Sequence, residues 1–184
     1  MGMWVSILII GLTIAMVAGP VFWLSPSDRD RRIGSLRARA ANCGLKVQLV
    51  PRDQLRLDTR EDKDEVAVYF LPWDLSQDQE KALAVLDSGN NWLLSRRPSA
   101  HEIHFHHHWQ WLSGKAPGSL QRDSEKLEPL KVFVESLNPT IVALQCRPDG
   151  VAIAWTEKGG VDSVDRLKTT LQDLKQICAQ CFLP

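Results

Sequence analysis

The sequence predicts an α+β protein in which one N-terminal transmembrane helix precedes a mainly antiparallel sheet with helices packed on one face. Three observations support this prediction. An uncharged apolar stretch opens the chain, strand-like segments fill its middle, and two segments with helical spacing flank a hairpin signal near its end. The predicted organisation is a transmembrane anchor over residues 1–24, a basic juxtamembrane amphipathic helix over residues 25–44 and a cytoplasmic α+β domain over residues 45–184.

The composition is electrically balanced, with 22 Lys and Arg residues against 22 Asp and Glu residues. Such a chain has no overall field that would attract nucleic acid, so we expect no nucleic-acid partner. Its four cysteines are scattered along a chain of ordinary length, which indicates reduced, half-buried thiols rather than a disulfide framework. They are Cys43, Cys146, Cys178 and Cys181.

The predicted anchor is the segment Met3–Leu24, which is apolar apart from Ser6 and Thr13 and has no charged residue. About 20 such residues form a helix that crosses a hydrocarbon core of roughly 30 Å. Trp4 near one end and Trp23 near the other fit the aromatic belts of the two membrane interfaces. A cleaved signal peptide is the competing interpretation, but no Lys or Arg precedes the apolar stretch.

The charges beside the anchor predict its direction. Between Ser25 and Asn42 there are five arginines against two aspartates, and nothing basic precedes the span. Because basic flanks stay in the cytoplasm, we expect a single-pass protein of the bacterial inner membrane with a periplasmic N-terminus and a cytoplasmic C-terminal domain. The bilayer itself is then a partner, and its anionic head groups are expected to contact Arg29, Arg31, Arg32, Arg37 and Arg39.

The juxtamembrane segment is predicted to be a helix capped by Ser25, with Pro26 in its first turn and Gly44 as its stop. Its apolar residues recur at helical spacing and form one face, which either covers the sheet or binds a partner. They are Ile33, Leu36, Ala40 and Cys43.

Alternation and β-branched or aromatic residues predict the strands of the body. They are Lys46–Val50, Val66–Leu71, Asn91–Arg96, His101–Leu112, Thr140–Cys146 and Val151–Thr156. The charged stretch Arg52–Glu65 is expected to be an exposed loop, and Arg147–Gly150 a hairpin turn. The segment Ser76–Gly89 has a capping box ahead of apolar residues, which fits a short helix or a loop inserted between strands.

Two more helices are predicted in the last third of the chain. The first covers Leu127–Leu137, with Pro129 in its first turn. The second begins near Asp162 and has an apolar stripe made of Val164, Leu167, Leu171, Leu174 and Cys178. The order helix, strand, strand thus occurs twice, although the residues themselves do not repeat.

Histidines give the segment His101–Leu112 its unusual composition. Read as one strand, it turns His107 to the same face as Trp109 and Trp111 and presents the alternate histidines to the other face, about 7 Å apart. Imidazoles in such a row suit zinc, copper or nickel, and no other cofactor is indicated. The candidate metal ligands are His104, His106 and His108. The alternative is a solvated strand face that is merely rich in histidine.

The pair Cys178 and Cys181 has the spacing of a redox site. Redox pairs lie at the start of a helix, where the dipole lowers the pKa of the thiol, whereas this pair lies at the end of the last predicted helix. Incidental packing and a labile disulfide are the two interpretations. The sequence has no nucleophile elbow, phosphate loop or zinc-protease pattern, and it identifies no small-molecule substrate.

Five tryptophans follow the anchor, which is many for this length. They are predicted to pack in the core or, alternatively, to form an exposed aromatic surface for a partner. They are Trp73, Trp92, Trp109, Trp111 and Trp155.

A resemblance to a known family rests on the first 50 residues. The motifs are Gly19-Pro20-Val21-Phe22-Trp23-Leu24-Ser25-Pro26-Ser27, Arg31-Arg32, Leu36-Arg37-Ala38-Arg39-Ala40 and Gly44-Leu45-Lys46-Val47. They resemble uncharacterised single-span inner-membrane proteins of gammaproteobacteria, some of which are labelled YajC-like auxiliary subunits of the Sec translocase. The region around Trp109-Gln110-Trp111 and the last helix resemble them loosely. The resemblance implies an inner-membrane location, and the label implies an auxiliary role in protein translocation. The chain lacks the compact glycine-rich motif that follows the basic linker of YajC proteins.

These observations favour a membrane-tethered, non-enzymatic accessory or interaction protein that works with a membrane protein complex. One alternative is a metal-handling protein that uses the His101–His108 strand. Another, implied by the resemblance, is an auxiliary component of a protein translocation or insertion complex. An enzyme whose site is assembled from distant residues is a further alternative.

Overall fold

The computed structural model describes residues 2–23, 27–55, 57, 65–74, 91–96, 103–112, 125–147 and 149–182. They divide into two compact units, Met1–Gly34 and Ser35–Pro184. The described helices are α1 (Gly2–Trp23), α2 (Asp28–Asn42), α3 (Glu128–Ser136) and α4 (Asp162–Phe182). The described strands are β1 (Lys46–Pro51), β2 (Glu65–Pro72), β3 (Trp92–Arg96), β4 (Ile103–His106), β5 (Trp109–Trp111), β6 (Ile141–Arg147) and β7 (Gly150–Trp155). The α+β class is therefore confirmed.

Helix α1 is 22 residues long and has no acidic residue in its first turn and no basic residue in its last. Its large apolar side chains are exposed on all sides as far as Met16, for example Leu8 at 70% and Ile10 at 59%. The hydroxyl groups of Ser6 and Thr13 donate to carbonyl oxygens one turn earlier, at 3.1 and 2.8 Å. Among the residues that the structure describes, none of the helices has the length and apolarity needed to cross a membrane. The anchor over residues 1–24 stays a prediction.

Helix α2 begins with a capping box made by Ser27 and Asp30. The Ser27 hydroxyl accepts from the backbone N–H of Asp30 at 3.2 Å, and the Asp30 carboxylate accepts from the backbone N–H of Ser27 at 3.2 Å. The predicted start is wrong by two residues, because Ser27 rather than Ser25 is the cap; Ser25 and Pro26 lie outside the described residues. The predicted stop is confirmed, since Gly44 has a positive φ of 80° and its N–H donates to the Ala41 carbonyl.

The seven strands form one antiparallel sheet in the order β1-β2-β7-β6-β3-β5-β4. Hairpin β1–β2 joins hairpin β6–β7 through the pairing of β2 with β7, and β6 is the central strand. Five of the predicted strands agree with the structure to within one residue at each end. The order helix, strand, strand does occur twice, as α2-β1-β2 and as α3-β6-β7. The predicted helix at Ser76–Gly89 lies outside the described residues.

Within the second unit, the main core lies between one face of the sheet and residues of α2, α3 and α4. The complete apolar stripe predicted for α4 is buried, and so are Leu36 and Ala40 of α2. This confirms helices on one face of the sheet. All five tryptophans of the body are at most 4% exposed, so the exposed aromatic surface is wrong and core packing is right.

A second, smaller core lies on the opposite face of the sheet. It consists of Leu55, Leu57, Val66, Val68, Ala143, Ala152 and Ala154. The exposed loop predicted from Arg52 is therefore wrong in its first part, because Arg52, Leu55 and Leu57 are buried. Leu55 and Leu57 cover the small side chains of the sheet on this face. The sequence did not predict this, because most of the neighbouring residues are charged.

The single strand predicted over His101–Leu112 is wrong, because the chain turns back at His107 and His108. Strands β4 and β5 are the two arms of a hairpin, with His104 opposite Gln110 and His106 opposite Trp109. The reversal uses a left-handed backbone at His107, where φ is 47°. No Gly, Pro, Asn or Asp marks this turn, which is why the alternation read as one continuous strand.

Candidate functional site

The strongest cluster of chemically active side chains joins the β4–β5 hairpin to helix α3. A carboxylate oxygen of Glu135, Oε1, lies 2.6 Å from Nε2 of His106 and 3.0 Å from Nε2 of His107. One potential ligand atom from each residue lies within 4.8 Å of those of the other two. Among the residues that the structure describes, this is the one group of His, Cys, Asp or Glu with such a geometry. We call it the His–Glu cluster.

The backbone of the turn positions the two imidazoles. His106 ends β4, and the left-handed φ of His107 brings the second ring beside the first, with centroids 4.2 Å apart. Nε2 of His104 lies 2.7 Å from the carbonyl oxygen of His107, and because a carbonyl only accepts, His104 donates this bond. Behind the turn, the Phe105 ring packs edge-on against Trp111 at 4.9 Å, which fixes β4 to the core.

The cluster is open to solvent. The side chains of His106, His107 and Glu135 are 27%, 63% and 49% exposed. The hydrogen bonds to His106 and then to His107 hold the pKa of the Glu135 carboxyl below its usual range. The carboxylate is thus kept negative beside two imidazole nitrogens, and this is a charge arrangement that suits a bound cation.

The structure brings together only part of the predicted metal set. His106 belongs to the cluster, but the side chain of His104 turns to the backbone of His107, and His108 is exposed in the turn outside the group. The row of His104, His106 and His108 assumed one continuous strand, whereas the structure has a hairpin there; metal binding by these three residues stays a prediction. Sequence analysis did not single out His107 or Glu135 as ligands. The position of His107 next to His106 could have indicated it, whereas nothing in the sequence around Glu135 indicates a ligand.

The predicted lipid-contacting arginines differ in their surroundings. Arg37 makes a two-pronged ion pair with Glu157, at 2.8 and 2.9 Å, and Arg39 pairs with Asp165 at 3.0 Å. In the first compact unit, the side chains of Arg29, Arg31 and Arg32 are exposed. Contact of these arginines with lipid head groups stays a prediction.

Glu157 is a buried anion, 4% exposed, that sequence analysis did not single out. Its backbone has a positive φ of 56°, immediately after β7. Besides Arg37 it accepts a hydrogen bond from the hydroxyl of Tyr69 at 3.1 Å. Burial, together with the negative charge of Glu157, raises the pKa of Tyr69 well above its usual range. The hydrogen bond to Glu157 raises the pKa of Arg37. All three groups satisfy one another, so their role is to join α2 to the sheet.

The predicted redox pair lies at the C-terminal end of α4, where the helix dipole does not favour a thiolate. The side chain of Cys178 is fully buried as the last member of the apolar stripe. The side chain of Cys181 lies outside the described residues, so a redox role stays a prediction.

A groove of about 310 Å³ lies between α3, α4 and the ends of β6 and β7. Its charged lining residues are Lys158, Arg166 and Asp173. Because these described charges are of both signs, the groove indicates no particular ligand class.

Comparison of the chain with protein-family models, with curated proteins and with solved structures finds no match to any of them. The resemblance to gammaproteobacterial single-span proteins therefore stays a prediction.

Proposed function

We propose that the protein is a membrane-tethered, non-enzymatic accessory or interaction protein of the bacterial inner membrane. Its N-terminus lies in the periplasm and its α+β body in the cytoplasm. The observation that carries the proposal is an uncharged helix, Gly2–Trp23, whose large apolar side chains are exposed as far as Met16, followed in the sequence by an arginine-rich helix.

The sequence of the N-terminal segment and the described surface of α1 support the tether. Met3–Leu24 has no charged residue, and about 20 such residues are what a hydrocarbon core of roughly 30 Å requires. Exposed apolar residues such as Ile7, Leu8 and Ile10 are unfavourable in water, and their transfer into lipid lowers the free energy. The hydroxyls of Ser6 and Thr13 are already bonded to helix carbonyls, as a bilayer requires of polar groups.

The C-terminal half of α2 is part of the body, which supports an accessory domain that folds as one unit. Its buried residues Leu36 and Ala40 belong to the main core. Its ion pairs from Arg37 to Glu157 and from Arg39 to Asp165 fasten it to the end of β7 and to α4. These ion pairs stabilise the body itself, so we expect a partner to bind elsewhere on its surface.

The proposal is tested by purifying the full chain, tagged after Pro184, in mild detergent from cells that express it at natural level. We expect it in the membrane fraction together with one stoichiometric membrane-protein partner. A matched control replaces α1 by an unrelated apolar span and retains the body, so that partners held by the body persist and partners held by the span are lost. Repeated recovery of the protein alone contradicts the accessory role. Recovery of translocase subunits identifies the translocation alternative as the correct partner class.

A further inference from the structure

We propose that His106, His107 and Glu135 bind one divalent transition-metal ion of the zinc, nickel or copper class, through Nε2, Nε2 and Oε1. All three residues lie in the body, so the site does not depend on the membrane tether. The ligand set differs from the predicted row of three histidines, because its members come from a strand end, a turn and a helix.

The geometry of the three atoms supports a single ion. Zinc binds histidine nitrogen and carboxylate oxygen at about 2.0–2.2 Å. Ligand atoms that all lie within 4.8 Å of one another can surround one such ion. The Nε2 to Oε1 separations of 2.6 and 3.0 Å are those of hydrogen bonds from each imidazole to the carboxylate. To bind the ion through Nε2, each neutral imidazole takes the tautomer with its one proton on Nδ1, and the proton passes between the two nitrogens by exchange with solvent.

The conformation of the turn also holds His107 in position for metal binding. His107 reaches the cluster because its backbone is left-handed, and the side chain of His104 holds the carbonyl oxygen of the same residue at 2.7 Å. His104 is therefore a positioning residue that orients a ligand through its backbone. The exposure of Glu135, at 49%, lets the side chains separate slightly around an ion and lets the ion enter from solvent.

The donor set selects the class of metal. Two imidazoles and one carboxylate suit zinc, nickel or copper, whereas magnesium and calcium prefer oxygen ligands throughout. Two histidines and a glutamate also form the protein ligand set of zinc sites that keep a fourth position open. Here that position faces solvent, where water or a donor atom from a partner protein would complete the coordination.

The test uses the full chain in detergent, purified without a polyhistidine tag and freed of metal. Calorimetric titration with zinc chloride should give one equivalent, and magnesium chloride should give no heat of binding. Glu135→Gln keeps the shape of the side chain and removes its charge, and His107→Asn retains a residue that tolerates a left-handed backbone. Each should weaken zinc binding by about tenfold or more.

The matched control is His108→Asn, in the same turn but outside the cluster, which should leave the affinity unchanged. Cobalt absorption then reports the coordination directly, with a tetrahedral visible band that is lost in Glu135→Gln. Circular dichroism checks that the variants fold. Absence of stoichiometric binding overturns the proposal, as does an equal loss of affinity in His108→Asn and Glu135→Gln, which would indicate weak chelation by the histidines in general.

Discussion

Arg37 and Glu157 are 120 positions apart in the chain and meet in a two-pronged ion pair, with Nε of the arginine 2.8 Å from Oε1 and Nη2 2.9 Å from Oε2. The carboxylate is almost completely buried, whereas the arginine side chain is one-third exposed. Tyr69 completes the group from the neighbouring strand. The pair fixes the C-terminal half of α2, within the second compact unit, to the end of β7.

Replacing Arg37 with Met should destabilise the body by about 2 kcal/mol. Removal of one partner from a fully buried pair costs more, but the partial exposure of Arg37 lets water replace some of the lost interaction. The free energy of unfolding of the full chain in detergent, measured by chemical denaturation, gives the value. The double variant, Arg37→Met with Glu157→Gln, should lose less free energy of unfolding than the sum of the two single variants. The reason is that Glu157→Gln removes the buried negative charge that Arg37→Met leaves without its partner.

The matched control for this measurement is Arg39→Met. The pair of Arg39 with Asp165 is exposed on both sides, so its loss should have little effect on unfolding. An equal loss in Arg39→Met and Arg37→Met would mean that burial of Glu157 does not matter for the stability of this junction.

Tyr69 should ionise only at unusually high pH. It is the single tyrosine of the chain, so the ultraviolet absorbance of tyrosinate reports this residue alone. Burial and the charge of Glu157 raise its pKa, which means that the folded protein holds the phenolic proton more tightly than the unfolded chain. The resulting stability is complete below the ordinary tyrosine pKa of about 10 and is lost as the pH rises beyond it.

Glu157→Gln should lower the midpoint of this titration without returning it to the unfolded value, because burial is the larger cause and remains. Full denaturation should restore an ordinary midpoint of about 10. An ordinary midpoint in the folded protein would contradict the buried position of Tyr69.

Gly150→Ala should destabilise the fold, whereas Gly160→Ala should not. At Gly150, the first residue of β7, a Cβ atom would collide with the carbonyl oxygen of Leu71 and the ring of Phe70. The neighbouring backbone cannot give way without breaking the pairing of β2 with β7, so we expect a loss of about 1–3 kcal/mol. At Gly160 an added Cβ meets nothing within 4 Å, which makes it the matched control. Thermal unfolding of both variants gives the comparison.

Arg29, Arg31 and Arg32 should account for any preference for anionic lipids, and Arg37 and Arg39 should not. The first three are exposed and lie nearest to the predicted anchor in the sequence. Arg37 and Arg39 lie farther along the chain and make ion pairs with Glu157 and Asp165. Changing the first three to Gln should reduce the anionic lipid that copurifies with the full chain, as measured by lipid mass spectrometry. The same change at Arg37 and Arg39 should leave it unaltered, and a reversed result would place the lipid contact nearer the body.

Much of this fold is predictable from the sequence because its strongest signals are local. The stripe from Val164 to Cys178 repeats at helical spacing and is buried in full. The hairpin between β6 and β7 has turn residues at Asp149 and Gly150, and Gly44 marks the end of α2 at a backbone that requires φ above zero. In each case one short window contains the whole reason for the structure.

The candidate site was harder to predict from the sequence, because its residues are far apart in the chain and meet only in the folded structure. Glu135 lies 28 residues from His107, on the exposed side of a predicted helix, and nothing in its own window marks it as a partner. The turn at His107 is made by a histidine with a left-handed backbone, so the usual turn residues are missing. Glu157 and Arg37 likewise meet only after the sheet has formed.

The tether is tested most directly by a pair of reporters fused after Pro184 of the full chain. One reporter is active only in the cytoplasm and the other only in the periplasm, and both fusions are assayed in membranes washed with alkaline carbonate. We expect membrane-retained protein in which the cytoplasmic reporter alone is active. Release of the protein by the wash, or activity of the periplasmic reporter instead, would contradict it.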